Sequence, residues 1–377
     1  MKNIRSILTA FFAIFLIVAC SSDSDDSTDI PTVKEFDRGT ILTNYVDNII
    51  IPRYNDFKSS IDVLSNSVET FVGAPTVSAF DKMHDDWVIA YKNWQHIEMF
   101  NIGKAEQMMY LDIMNAYPVN VDRIESNISS EKTDLSDVLD KTTQGFPGLD
   151  YMLHGLSSSK EDIINIYSVK VEYGKYLKNL MTIMVTNTNT IIDHWEANKA
   201  DFISSTGNTR TSSLNMITND FIYYFEKGLR SNKISTPGGW WSQGVLFPKA
   251  VEAYFSSINN FEDVSKVLAK EGLIASQNFF EGKAKNGVAG SSLKTYLQYI
   301  YNNNVIDNDL GTTIVTNMQN AMTKIDALDD NFVNQVINDS SKMIDAHSAL
   351  QKVVVNLKTT MLSSLSMYPD YEDADGD

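Results

Sequence analysis

The sequence holds a single cysteine, Cys20, so no intramolecular disulfide can form and stability must come from packing. Eight prolines in 377 residues leave long stretches free to stay helical. The five histidines, His84, His96, His154, His194 and His347, are scattered, and none is spaced i+3 or i+4 from another. The H-E-x-x-H zinc signature is absent, as are the G-x-S-x-G elbow and a glycine-rich phosphate cradle. These absences remove the common signatures of zinc peptidases, serine hydrolases and nucleotide-binding enzymes. Basic clusters are missing too. Asp and Glu number 48 against 31 Lys and Arg, a net charge of -17, which argues against nucleic-acid binding and against electrostatic docking on anionic lipid. No stretch alternates convincingly enough to suggest a sheet.

What is present starts with an address. Residues 1–19 carry Lys2 and Arg5 and then an apolar run too short to span a bilayer. Ile17-Val18-Ala19-Cys20 resembles the lipobox of bacterial lipoprotein precursors, with Cys20 as the lipidated N-terminus. Cleavage there removes two positive charges and takes the net charge from -17 to -19. Residues 20–35 are rich in Ser, Asp and Thr and read as a disordered acidic tether. The expected location is the cell envelope, lipid-anchored to the outer membrane and facing the periplasm or the exterior.

From residue 36 onward apolar side chains recur at helical spacing. Asp37 or Thr40 caps a first helix carrying Ile41, Tyr45, Ile49, Tyr54, Phe57 and Ile61, in which Pro52 calls for compensation. A second helix from Thr76 aligns Phe80, Trp87, Tyr91 and Trp94, a stripe that reads as core and that leads to Glu98 as a buried carboxylate. One long helix is expected over 160–202, another over 214–229, then an aromatic loop carrying Lys233 and Trp240-Trp241. Phe247-Pro248 is expected to open a helix with Glu252 and Tyr254. Helices over 291–301, 312–328 and 332–365 follow. The fold class is all-α: a first helical bundle over 36–206 and a second over 207–377, which ends in an acidic tail.

Between them in interest lies Gln144-Gly145-Phe146-Pro147-Gly148-Leu149-Asp150-Tyr151-Met152-Leu153-His154-Gly155. Gly145 permits a tight turn, Pro147 suits a first helical turn, and Gly155 can end the helix. Asp150 and His154 at i and i+4 share one helical face. They can chelate a cation together, or simply hydrogen-bond to each other.

These segments resemble the imelysin, or M75 peptidase-like, family and its Bacteroidota lipoproteins. The likeness rests on Asn48-Ile49-Ile50-Ile51-Pro52-Arg53-Tyr54, on Trp94 through Glu98 to Gly103, and on residues 145–155. It continues through Lys233-Ile234 with Pro237-Gly238, Phe247-Pro248 with Val251-Glu252-Ala253-Tyr254, and the closing Asp375-Gly376-Asp377. The resemblance implies two four-helix bundles related by a pseudo-twofold, with a functional cleft between them. It also implies a link to iron uptake, and some relatives have been described as metallopeptidases. The family hallmark is G-x-H-x-x-E at a helix start. Here Pro147 stands at the His position and Asp150 at the Glu position, so the hallmark is degenerate.

The resulting candidates for the cleft are Glu98, Gly145, Pro147, Asp150, His154, Lys233, Trp240, Glu252 and Tyr254. Asp150, His154 and Glu98 would be the ligands for iron or another divalent metal, since carboxylates with one imidazole suit a hard or borderline cation. Lys227, Arg230 and Lys233 read either as an anion-binding patch or as a solvated helix end. The leading expectation is a non-catalytic binding component of iron or heme acquisition, partnered by the membrane through Cys20 and by an outer-membrane uptake receptor. A metal-dependent M75-type peptidase is the second. A structural lipoprotein with a vestigial cleft is the third.

Overall fold

The computed structural model describes residues 36–259, 261 and 264–369. The leader, Cys20, the tether and the closing Asp375-Gly376-Asp377 lie outside the described residues.

Asp37 starts the first helix by accepting the Gly39 N–H at 2.9 Å. The rod α1 is built from Arg38–Asn44, a π-helical segment Tyr45–Ile50 and Ile51–Gly73. A proline ring clashes with the carbonyl four residues earlier, and a π segment widens the ladder just where that clash would fall. The compensation called for at Pro52 is therefore built into the preceding turn. Thr76 caps α2 (Val77–Trp94) by accepting the Ala79 N–H at 3.2 Å. After short helices at Lys104–Gln107, Tyr110–Asn115 and Val121–Ser129 comes α3, made of Gly145–Asp150 and the π-helical Tyr151–Gly155. Lys160–Val169 is separated at Lys170 from α4 (Val171–Ser204), so the helix expected over 160–202 is two.

α5 joins Ser213–Tyr223 to a π-helical Tyr224–Ser235. Lys233 therefore sits on a helix, not in the loop the sequence suggested. Phe247-Pro248 opens only a 3-10 turn, Pro248–Ala250; the left-handed Ala253 (φ 57°) breaks the chain before α6, Tyr254–Ile258. α7 (Ser265–Glu281) has no counterpart in the sequence reading. Its buried face carries Ala269, Gly272, Ala275 and Ser276, small groups that give weak apolar contrast. Leu293–Asn302 and α8 (Leu310–Asp326) follow. The rod expected over 332–365 breaks at Asp339 into Phe332–Asn338 and α9, Ser340–Val355 continued by π-helical Asn356–Met361.

The protein is all-α; among the described residues no strand forms. In the first bundle α1 lies between α2 and α4, with α3 as a short fourth member against α4. In the second, α5, α7, α8 and α9 pack in a ring. The two bundles form one compact unit. The division is not strictly sequential, because the start of α1 packs on the second bundle. Asn44 donates to the carbonyls of Gly282 and Ser291 at 3.0 Å, and Tyr45 lies against Phe279.

Candidate functional site

The chain around 145–155 folds as it does because Gly145 has φ +67° and no room for a side chain. A Cβ there would stand 2.3 Å from the Met114 carbonyl oxygen. This close approach seats α3 on the Tyr110–Asn115 turn. It also brings Phe146 into a stack with Tyr91 of α2, ring centroids 4.2 Å apart.

Asp150 is buried and fully engaged. Its Oδ1 accepts from His154 Nδ1 at 2.8 Å and from the Ser256 N–H at 3.0 Å, while Oδ2 accepts the Phe255 N–H at 2.7 Å. The carboxylate thus caps α6 from the other half of the chain. With Nδ1–H donated to Asp150, His154 Nε2 is left to accept from His84 Nδ1 on α2 at 2.9 Å. Burial, then His154 and Lys160, push His84 down to about 4, with Asp81 opposing. His84 is neutral at neutral pH in this arrangement, and the hydrogen bonds run without interruption from Asp150 through His154 to the half-buried His84.

A second polar group lies inside the bundle junction. Lys233 Nζ contacts both Glu252 oxygens at 2.8 Å and Glu98 Oε2 at 3.2 Å. Asn115 Nδ2 bridges the carboxylates, 2.7 Å from Glu98 Oε1 and 2.8 Å from Glu252 Oε1. Gln95 Nε2 donates to Glu252 at 3.2 Å, and the Tyr91 hydroxyl donates to Asn115 Oδ1 at 2.6 Å. Burial works against the Lys233 charge, but Glu252 and Glu98 outweigh it and raise its pKa. Glu98 and Gln95 come from the α2 side and Lys233 and Glu252 from the second half, so the cluster ties the two bundles together.

A cleft of about 670 Å³ opens beside these groups. Pro147, Asp150, Tyr254, Phe255, Tyr117 and Lys249 are among its walls. The sequence candidates thus fall into two neighbouring sets: Pro147, Asp150 and Tyr254 at the cleft with His154 buried behind Asp150, and Glu98, Lys233 and Glu252 in the buried cluster. Gly145 lies in neither set and packs against the Ile113 and Met114 carbonyls. Trp240 belongs to neither: it stacks on His347 of α9 with centroids 3.7 Å apart. The basic patch does not form as a patch. Lys233 is buried among carboxylates, and buried Arg230 pairs with Glu226 at 3.5 Å and donates to Gln351.

Glu98, Asp150 and His154 do not assemble into one ligand set. Among the described residues no group of three or more His, Cys, Asp or Glu is arranged to hold a metal. The hydrogen bonding shows why. Both Asp150 oxygens and both His154 nitrogens are engaged, and a lysine ammonium stands where a cation would meet Glu98 and Glu252. The residues as arranged do not fit a resident catalytic metal with an open coordination position. His84, Gln95, Asn115 and Tyr117 are the participants the sequence did not single out; Tyr91 was read only as core.

The imelysin family profile matches residues 50–360. The fold is similar to a crystal structure of an iron-regulated protein A precursor from Parabacteroides distasonis, with TM-score 0.71 and 17% identity over 89% of this chain and 97% of that one. It is also similar to an imelysin-like protein from Psychrobacter arcticum, with TM-score 0.68 and 18% identity over the same shares, 89% and 97%. A 79-residue stretch is 23% identical to iron-regulated protein A of Synechococcus elongatus, spanning 21% of this chain and 22% of that relative. With the profile matched over most of its length and the helical fold shared along nearly all of it, the chain belongs to the imelysin family.

Proposed function

We propose that this protein is a non-catalytic binding component of iron or heme acquisition, anchored to the cell envelope through Cys20, and that the 670 Å³ cleft receives the cargo. The observation that carries the reading is the cleft wall itself. Asp150, at the family's carboxylate position, is spent on capping α6 and holding His154, and Pro147 offers no ligand atom. A hydrolytic centre has no donors left to build on. The remaining lining is mixed, with Asn120, Asp122 and Thr142 beside the apolar groups, and suits a flat ligand with an apolar body and a polar edge. Tyr117, Val251, Tyr254, Phe255 and Ile258 supply apolar and aromatic surface, and exposed Lys249 supplies a cation at the rim. A tyrosine phenolate is a known ligand for ferric heme, and Tyr254 is the side chain that would meet an iron centre directly, since burial and then Glu252 and Glu98 push the Tyr117 phenol well up. The names of the iron-regulated relatives favour the same direction. Release of cargo to an outer-membrane uptake receptor is the step this role requires.

The test is a titration of the full chain in detergent with ferrous iron, ferric iron and heme, repeated on Tyr254→Ala and Lys249→Glu. Saturable binding of at least one of them at micromolar strength or tighter, weakened about tenfold or more in Tyr254→Ala, is expected. Absence of binding by all three would sink the reading. Chelator-sensitive cleavage of a peptide substrate would replace it with the peptidase.

A further inference from the structure

From Ile234 to Pro248 fifteen consecutive residues carry no charge, in a chain where charged residues make up 21%. The stretch ends α5 and forms the loop that leads into Pro248–Ala250. Its apolar side chains are not all buried. Trp240 is 40% exposed, Trp241 45%, Val245 60% and Phe247 45%. Single exposed apolar residues are ordinary, but four large ones within eight positions mark a contact surface.

The loop's own chemistry says what covers it. Its backbone is largely satisfied from within: the N–H of Trp240 donates to Ser235, that of Gly244 to Gly239, that of Val245 to Ser242 and that of Phe247 to Pro237, at 3.0–3.3 Å. The Ser242 hydroxyl closes onto the Gly239 and Val245 carbonyls. Such a loop is a poor template for an added peptide strand. It is a cheap one to set in a lipid headgroup layer, where unpaired backbone is costly. Both indoles are braced from the protein side. His347 stacks on one face of Trp240 at 3.7 Å, and Arg230 lies over Trp241 at 5.3 Å. Tryptophan, with an apolar body and one N–H, is a residue that settles at membrane interfaces. Exposed Lys249 follows the loop, and exposed Lys342 precedes Met343, which lies against Gly238. Neither lysine makes an ion pair among the described residues, so both can reach lipid phosphates.

Chain length allows the contact. Arg38–Asn44 packs on Ser213–Tyr223, the end of α5 opposite the loop, and α5 is about 35 Å long. Cys20 lies sixteen positions before Phe36, a contour of about 55 Å. An anchor at Cys20 and the loop can therefore share one leaflet. Among the described residues no helix is long and apolar enough to cross a membrane, so contact is with the bilayer surface.

We propose that the Trp240–Phe247 loop docks on the phospholipid surface of the leaflet that carries the Cys20 anchor. Trp240, Trp241, Val245 and Phe247 sit among the headgroups. The inference rests on the anchored reading above, and the identity of the cargo does not enter it. Burial of apolar surface drives the docking, not charge, which suits a chain of net charge -17. Lys249 is also part of the cleft wall, so docking sets that part of the cleft rim close to the lipid.

The test reconstitutes the full lipidated chain in phosphatidylcholine vesicles with plain or brominated acyl chains. Flotation reads attachment, and tryptophan emission reads contact, because bromine quenches only at short range. Quenching is expected in the brominated vesicles and should come from Trp240 and Trp241, since Trp87, Trp94 and Trp195 are buried. The double variant Trp240→Phe with Trp241→Phe should abolish it. Val245→Asp keeps all five tryptophans and alters one exposed side chain, and it should lower quenching to near the level of the double variant. A chain that floats with equal emission in both vesicles overturns the docking and leaves the anchor standing. A chain that does not float overturns both. Quenching unchanged in Val245→Asp overturns the docking, as does a dimer lost in Val245→Asp in place of quenching, which would assign the patch to a second copy.

Discussion

The carboxylate of Asp150 accepts the backbone N–H of Phe255 at 2.7 Å, joining two residues 105 positions apart. Through that bond and the one from Ser256, the family's signature helix holds the first turn of α6, which forms the opposite wall of the cleft. The residue that the sequence offered as a candidate metal ligand acts here as a fastener. Asp150→Ala should therefore cost about 2–4 kcal/mol of stability, the loss of a buried charged acceptor serving three donors. Chemical denaturation measures it. A loss under about 0.5 kcal/mol would mean that α6 docks without the cap.

His84 gives the relay a pH signature. Its folded pKa is lowered from 6.5 to about 4, mainly by burial and then by His154. A histidine kept neutral in the folded state binds its proton preferentially when unfolded. Its contribution to stability is thus present above about pH 6.5 and is lost as pH falls toward 4. In His84→Gln, unfolding free energy should fall less steeply between pH 6.5 and 4 than in wild type, by up to one proton's worth of slope. Equal slopes in denaturation curves at pH 4.5, 5.5, 6.5 and 7.5 would contradict the assignment.

Lys233 makes the opposite kind of contribution. Its raised pKa means that the stability it supplies is complete below about 10.5 and is lost only as pH rises through the folded value. Lys233→Met leaves Glu98 and Glu252 facing each other without a cation, and the expected cost at neutral pH is about 3–5 kcal/mol. Adding Glu252→Gln should recover part of that loss, because the second substitution removes the charge left bare. A double variant no better than the sum of the singles would show that the pair is not coupled.

The extent to which this site was legible in the sequence follows from sequence distance. Asp150 and His154 lie one helical turn apart, so their pairing is written into the i, i+4 spacing. Their partner His84 is 70 residues away, and Asn115 and Gln95 meet Glu252 across 137 and 157 residues. Nothing local marks an Asn or Gln for a buried cluster; only the docking of the bundles does. Lys233 was visible as a candidate, yet its placement in a loop was wrong, since a π-helical continuation of α5 carries it inward. Trp240 was misread for a related reason: its ring looked available for a ligand, and His347, 107 positions on, takes it instead. The all-α fold was the easier part, because helical periodicity is repeated in every long segment. α7 escaped because Ala269, Gly272, Ala275 and Ser276 break up the apolar stripe formed by Leu268, Leu273, Phe279 and Phe280.

Gly145 tests whether the signature turn matters for shape alone. Its φ of +67° is strained for any residue with a Cβ, and that Cβ would overlap the carbonyls of Ile113 and Met114. Neither carbonyl can rotate away as a side chain would, so the Tyr110–Asn115 turn must move, taking Asn115 off Glu98 and Glu252. Gly145→Ala should lower stability by about 3 kcal/mol or more, combining backbone strain with overpacking. Gly73→Ala is the matched control. It ends α1 in open space, with nothing within 4 Å of an added Cβ, and should be neutral or stabilising by up to about 1 kcal/mol. Thermal and urea unfolding of the two variants side by side separates the readings. If both behave alike, the close approach at Gly145 is not what holds α3 against the Asn115 turn.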